Sequence, residues 1–540
     1  MDVTDVISTE DGVGRKAVKV LYPLFLGQFF GIVLTAATFI IVTRLLGPSG
    51  YGAYVFAFGF SALVNGVSAF GVGAYFNSTL ARLAYRKDGN GMLRAISSGY
   101  IIVGSIGIML SLAGVALSGP IAHFFPRVGI APLTLMLASS QIFFYMISMI
   151  AVNGLIGLSR SGLASVANIL VDIIQLALSI ALTILYGVNG AVVAMLIGYA
   201  VGAALGTVLL AVAVSKYIKP RVVMPGREAI RNTFSFVWPI AAKNFLSTGM
   251  NNFSILFLGL FVAAAALGNY GAANRGLTLV AMMYGTFGQG LLNTFATVKS
   301  MKKADEVNLT YNSIMRFSLL FMLPVVVFVG VMAAPSLFLL ISANYATAPL
   351  YLTLMCIGTT IGLFSTNISN LLISEGHTRS ILRITLISAV VQLVLMVALV
   401  PEIKVIGAIV AIYFIGNSIA FVLFAREARR KFGLSIDKRA NATLYLGNLV
   451  LGLVLMVWLM LSAPLEHALP MHGLAYIVQL AAAFVIAVVA YPALLVALHG
   501  IGPKDIADLR DATARLGIFS RVMNLFLGYS EHLHKKLYAA

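Results

Sequence analysis

Long apolar runs, separated by short polar or basic stretches, recur from one end of the chain to the other. A helix of about 20 apolar residues spans the hydrocarbon core of a bilayer. Runs of that length predict fourteen transmembrane helices, near residues 18–43, 53–81, 95–117, 131–156, 163–185, 189–214, 235–262, 271–298, 317–341, 349–373, 384–400, 405–424, 446–463 and 474–499. Hydrocarbon offers the backbone no hydrogen-bonding partner, so a spanning segment must satisfy itself, and runs this long and continuous do so as helices, not barrel strands. The expected fold class is an all-α polytopic membrane protein.

Charge placement supplies the orientation. With the N-terminus inside, 31 of the 36 Lys and Arg fall in tails or loops on one side of the membrane or at its border. The basic groups of these loops include Arg82–Arg94, Lys216–Arg231, Lys299–Arg316 and Arg426–Arg439. This asymmetry is the positive-inside pattern, and it accounts for most of the net charge of +18 without invoking nucleic acid. The chain is therefore expected to be multi-pass in the cytoplasmic (plasma) membrane, with both termini cytoplasmic. Composition agrees. The 540 residues are 60% hydrophobic and 10% charged, where a soluble domain carries about 25% charged residues, and the mean hydropathy is +0.98. The single cysteine, Cys356, allows no internal disulfide. The first apolar run is too long for a cleavable signal peptide.

The chain also repeats itself. Leu46-Gly47-Pro48-Ser49-Gly50-Tyr51-Gly52-Ala53 returns as Leu267-Gly268-Asn269-Tyr270-Gly271-Ala272, with the two tyrosines 219 residues apart. Asn153-Gly154-Leu155-Ile156 faces Asn370-Leu371-Leu372-Ile373, Gln175-Leu176 faces Gln392-Leu393, and Gly190-Ala191 faces Gly407-Ala408, each at an offset of 217. Four matches at offsets of 217 to 219 indicate a duplicated unit of about 200 residues. Six spans per copy insert both copies with the same orientation, giving two parallel lobes related by an axis along the membrane normal. The expected organisation is a cytoplasmic tail (1–17), an N-lobe of helices 1–6 (18–214), a basic cytoplasmic linker (215–234), a C-lobe of helices 7–12 (235–424), a basic cytoplasmic loop (425–445), helices 13 and 14 (446–499) and a cytoplasmic amphipathic tail (500–540). In that tail Ile506, Leu509, Leu516, Phe519, Met523 and Phe526 recur at helical spacing. Such a helix either lies on the membrane face or packs against the cytoplasmic loops.

Polar residues inside the spans are the candidate chemistry. Asp172 is the acidic residue at the middle of a span, and Asn168, Asp172 and Gln175 share one face of helix 5. A charge there costs several kcal/mol on insertion scales, so it must face a cavity or a partner. The stripe is either a cation or proton site or cavity wall, or a polar cluster that locks helices together. Helix 7 carries Lys243, Asn244, Ser247, Asn251 and Ser254, and helix 8 begins with Asn274 and Arg275. Lys243 and Arg275 are the cations least able to snorkel to the cytoplasmic surface. Facing a central cavity, they suit a phosphate or pyrophosphate; Arg275 has the alternative of reaching the outer headgroups. Helix 2 is rich in aromatics, Tyr54, Phe56, Phe58, Phe60, Phe70 and Phe76, which pack or meet lipid more often than they bind sugar. The chain has no Walker loop, no His/Cys cluster with metal spacing and no paired carboxylates at one depth, so a non-enzyme with no resident cofactor or metal is expected.

The run Thr43-Arg44-Leu45-Leu46-Gly47-Pro48-Ser49-Gly50-Tyr51-Gly52 resembles the first-helix signature of Wzx-like polysaccharide flippases. Leu267–Arg275 is similar to the helix 7–8 junction of that family, with Asn274 where an aromatic is usual, and Gly187-Val188-Asn189-Gly190-Ala191 is similar to its turn between helices 5 and 6. The likeness spans residues ~15–425 and identifies the chain as a member of the multidrug/oligosaccharidyl-lipid/polysaccharide (MOP) exporter superfamily. The resemblance implies a V of two six-helix lobes opening alternately to either side. It implies a polyprenyl-(pyro)phosphate-linked oligosaccharide as cargo, with basic residues lining the cavity. Arg275 matches one such arginine and Lys243 less closely. Two helices beyond twelve also occur in lipid II flippases, where they help form a groove for the lipid tail.

The expected function is therefore a flippase working by alternating access. Lys243, Arg275, Arg44, Asn251 and Asn244 would be substrate-binding, and Asp172, Asn168 and Gln175 would hold a coupling Na⁺ or H⁺ or line the cavity. Expected partners are the lipid-linked oligosaccharide, membrane lipids and glycan-assembly enzymes, with no nucleic acid. The alternatives are a cation-coupled drug exporter of the same superfamily and a non-transporting scaffold of a sugar-assembly complex.

Overall fold

The computed structural model describes residues 10–68, 72–86, 88–158, 160–215, 226, 230, 231, 233, 234, 249, 252–298, 304–374, 377–465, 472–502, 506, 510 and 518–538. Among them every regular element is a helix: α1 (Glu10–Ser68), α2 (Val72–Tyr85), α3 (Gly89–Phe124), α4 (Pro132–Gly157), α5 (Ser161–Ser215), α6 (Asn252–Phe261), α7 (Ala264–Val298), α8 (Ala304–Val331), α9 (Ala333–Leu340), α10 (Ala348–Ser374), α11 (Thr378–Ile409), a π-helical turn (Val410–Gly416), α12 (Asn417–Phe432), α13 (Lys438–Ser462), α14 (His472–Ala497) and α15 (Ile518–Tyr538).

Among the described residues nine apolar helical segments are long enough to cross a membrane. Three of them, Phe30–Gly66, Ser161–Ser215 and Arg379–Phe432, each hold two expected spans joined at a backbone bend. The nine thus carry twelve of the expected crossings. The other two correspond to α7 and to the stretch containing α6, of which residues 235–248, 250 and 251 lie outside the described residues. Helix ends depart from the apolar runs because caps set them, not hydrocarbon. Asp88 accepts a hydrogen bond from Gly91 N at 2.8 Å, so α3 starts in the basic loop, six residues before the expected span. Asp437 does the same for α13 through Ala440 N at 3.0 Å. The span expected at 317–341 is divided between α8 and α9. Pro335 has no N–H to give to the carbonyl of Val331, and it sits in the first turn of the new helix.

The duplication is visible in the backbone. Gly187 bends α5 at φ 56, ψ −131, and Lys404, 217 residues later, bends α11 at φ 51, ψ −124. This is the first central position of a type II′ turn, a conformation suited to glycine. In both copies a glycine three residues on, Gly190 or Gly407, leaves room for the carbonyl of the preceding helix, Leu182 or Leu399.

The chain divides into two compact units, Met1–Arg275 with Ala389–Ala408, and Gly276–Ser388 with Ile409–Ala540. The first therefore takes in residues 389–408 and the head of α7 besides the helices of the expected N-lobe. Its inner helix is the second half of α1, where no residue from Tyr51 to Gly66 is exposed. Small residues let neighbours approach it closely. Gly59 meets Ile255 of α6, and Gly259 meets Phe56. Most intimate is the contact of the two repeated motifs with one another. A Cβ on Gly52 would collide with the carbonyl of Ala264, and one on Gly268 with the carbonyl of Pro48. Side-chain hydrogen bonds add register: Gln141 Nε2 donates to Ser61 Oγ at 2.6 Å, Thr134 Oγ1 to Asn189 Oδ1 at 2.6 Å, and Arg127 Nη1 to the carbonyl of Phe261 at 2.8 Å.

The second unit is built on α8, α10, α12, α13 and α14. Its core includes Leu319, Leu323, Leu371, Leu372, Phe424, Leu444, Leu451 and Leu495. The two helices beyond the duplication are integral to it: Tyr445 donates to the carbonyl of Thr360 at 2.6 Å, Tyr491 to that of Leu320 at 2.7 Å, and Trp458 Nε1 to that of Gln479 at 3.0 Å. The amphipathic tail expected from residue 506 is helical over α15, which packs Phe526, Leu527 and Leu533 against this core, with Phe526 6.4 Å from the Tyr491 ring. Arg510 and Lys535 close on Glu531 at 2.8 and 3.1 Å and hold its carboxyl below the usual range.

Two expectations follow. Gly52→Val inserts a branched side chain against the backbone of Ala264 and should abolish the monodisperse folded peak in detergent size-exclusion chromatography. Lys404→Gly relieves a strained turn that costs roughly 1–3 kcal/mol, less the 0.5–1 kcal/mol entropic cost of glycine, and should raise the thermal unfolding midpoint; Gly187→Ala should lower it.

Candidate functional site

The site is assembled by the glycine contact between the repeats. Gly268, Gly271 and Arg275 fall at i, i+3 and i+7 and so share one face of α7. Gly268 meets Pro48 and Gly52 of α1, and Gly271 meets Val55. Arg275 continues that face beyond the junction. Tyr270 beside it is fully buried, its hydroxyl 3.2 Å from Ser254 Oγ, which fixes the rotation of α7.

Asp172 reaches the same place from α5. Val166, Leu170, Ile173, Ile180 and Ile184 form an exposed apolar stripe on this helix. At 100° per residue the stripe of Asn168, Asp172 and Gln175 lies on the opposite side. Asn168 is exposed there and Asp172 half-buried. Gly31 of α1 stands against the carboxylate; a Cβ on it would lie 3.4 Å from Asp172 Oδ2. Gln175 packs its side chain onto Gly198, with its Nε2 buried and unbonded.

Arg275 acts electrostatically on Asp172, and also on Tyr51, Tyr54 and Tyr199. A charge at the bilayer centre costs roughly 2.5–3.5 kcal/mol on insertion scales, while an interhelical hydrogen bond returns about 0.6 kcal/mol. Asp172, at the middle of its expected span, therefore needs a cavity, a partner or an ion to offset that cost.

Of the residues singled out in the sequence, Asp172, Gln175 and Asn168 share one face of α5, and Arg275 lies on α7 in the same unit, its positive charge acting on the Asp172 carboxylate. Arg44 is exposed just before the Gly47 bend and is not among the charges acting on Asp172. Lys243, Asn244 and Asn251 lie outside the described residues. Sequence reasoning placed Tyr51 in the repeat and Tyr54 among aromatics that pack or meet lipid, and did not single out Tyr145 and Tyr199. Tyr51 and Tyr54 stack at 5.7 Å, and Tyr145 and Tyr199 meet edge to face at 5.1 Å. Tyr54 donates to Met195 Sδ at 2.9 Å. The signal was present: Met195 and Tyr199, at i and i+4, lie opposite the exposed Ile197, Val208 and Val212.

The profile of the polysaccharide biosynthesis protein family matches residues 19–295, just over half of the chain, and that of the MatE family matches residues 239–398. Among curated proteins none matches the sequence. Solved structures share the fold at low identity. The lipid II flippase MurJ in its inward closed conformation superposes with a TM-score of 0.67 at 14% identity, covering 88% of this chain and 98% of its own. An inward-facing multidrug resistance MATE family transporter of the MOP superfamily gives 0.60 at 15%, covering 75% and 94%. A MOP superfamily transporter from Pyrococcus furiosus, described as having a binding pocket of reverse polarity, gives 0.53 at 17%, covering 77% and 95%. The chain belongs to the polysaccharide biosynthesis protein family and has the helical fold of the MOP superfamily of transporters.

Proposed function

We propose that the protein is a flippase that carries a polyprenyl-(pyro)phosphate-linked oligosaccharide across the cytoplasmic membrane by alternating access. The observation that carries this reading is Arg275, held inside the membrane domain by the glycine junction. A fixed guanidinium there suits the planar, bidentate recognition of a phosphate. The family match and the fold shared with a lipid II flippase support the same cargo class. Lys243, Asn244 and Asn251 would add to the phosphate and sugar contacts from the span before α7, with Arg44 near the outer mouth. Asp172, flanked by Asn168 and Gln175, would hold the coupling Na⁺ or H⁺. Helices α13 and α14 would guide the lipid tail, and the exposed basic residues Arg429–Lys431 and Lys438–Arg439 suit docking of glycan-assembly enzymes.

A cation-coupled exporter of small molecules is favoured by one observation, the membrane-embedded carboxylate of Asp172 in a fold shared with multidrug transporters. A non-transporting scaffold has no use for a charged pair on the inner face of α5 and α7.

The test is transbilayer movement of a labelled polyprenyl-diphosphate oligosaccharide in liposomes holding the purified protein. The wild type should move the lipid. Arg275→Ala and Lys243→Ala should stay folded and inserted yet lose movement at least about 100-fold, the scale of two to three kcal/mol of lost phosphate contact. Asp172→Asn should abolish dependence on an imposed Na⁺ or H⁺ gradient. Efflux of cationic dyes with no lipid movement would establish the exporter instead.

A further inference from the structure

We propose that Tyr54 and Tyr199 form a sugar-reading wall beside Arg275, a binding site for the pyranose ring next to the phosphate; this rests on the flippase reading. The aromatic residues of the first unit divide by what they do. Phe56 and Phe76 are fully buried and pack helices together. Tyr100 and Tyr270 spend their hydroxyls on firm partners, Thr207 Oγ1 at 3.0 Å and Ser254 Oγ at 3.2 Å. Tyr54 and Tyr199 differ. Both are half-buried, and they are neighbours: Met195, which meets the Tyr54 hydroxyl, lies one turn before Tyr199 on α5, while Gly52 and Val55 on either side of Tyr54 meet Gly268 and Gly271 on the face of α7 that leads to Arg275.

Their rings are braced from behind. Tyr51, only 5% exposed, stacks on Tyr54, and Tyr145 meets Tyr199 edge to face at an interplanar angle of 80°. The Tyr54 hydroxyl rests on the thioether of Met195, a weak acceptor, so exchanging it for a sugar hydroxyl gives a net gain. A braced aromatic with a polar tip suits a sugar, whose ring offers C–H groups to the π-face and hydroxyls at its rim. Phenylalanine would pack as well in these places and could not read the rim.

The test uses the full-length protein in nanodiscs and measures binding of two probes: a bare polyprenyl diphosphate, and the same lipid carrying a hexose disaccharide. The wild type should prefer the sugar-bearing lipid. Tyr54→Phe and Tyr199→Phe, which preserve packing, should each weaken the sugar-bearing lipid about tenfold, one hydrogen bond's worth, and leave the bare lipid unchanged. Arg275→Ala should weaken both. A ratio unchanged in the phenylalanine variants overturns the sugar wall alone. Binding of neither lipid by the wild type overturns it together with the flippase reading. A Met195→Leu variant, which frees the Tyr54 hydroxyl without touching either ring, should retain or increase the preference; its loss would show that the hydroxyl's role is to hold the helices.

Discussion

The close approach of two backbones at Gly52 and Gly268 is the constraint on which the first unit depends. Each glycine leaves room for a carbonyl of the other repeat, and no side chain fits in its place. The contact brings the head of α7 against the second half of α1. Rotation of α7 is then fixed by Gly271 against Val55 and by Tyr270 on Ser254. Arg275 follows on the same face. From there its charge acts on Asp172 and on Tyr51, Tyr54 and Tyr199.

The surrounding structure separates packing from chemistry. Apolar and small residues do the packing, and short hydrogen bonds such as Gln141–Ser61 and Thr134–Asn189 set register between helices. Neither needs formal charge. Asp172 stands opposite the exposed apolar stripe of α5, and Gly31 and Gly198 give Asp172 and Gln175 the room to stand there. The type II′ bends at Gly187 and Lys404 are the second repeated device. Lysine tolerates that conformation only at a strain cost, so the turn itself is what both copies require.

Much of this was legible in the sequence, for identifiable reasons. Spans are long periodic signals, and the positive-inside pattern orients them, so the all-helical fold and the stripe of Asn168, Asp172 and Gln175 could be read directly. The repeat at Tyr51 and Tyr270 was visible, but not that the two copies touch, because the approach of two backbones leaves only short glycines behind. Helix ends were misjudged where Asp88 and Asp437 cap beyond the apolar run and where Pro335 restarts a helix within one. Tyr145 and Tyr199 were not singled out, because the spacing that sets Met195 and Tyr199 opposite Ile197, Val208 and Val212 gains meaning only once the exposed stripe is known.

The most direct test of the central claim is a double-mutant cycle between Asp172→Asn and Arg275→Gln, read as unfolding free energy of the purified protein. If the glycine junction sets the two charges facing one another, the double variant should be less destabilised than the sum of the single changes, with a coupling of roughly 0.5–3 kcal/mol. Additivity within about 0.3–0.5 kcal/mol would mean that the groups do not sense each other, contradicting the account.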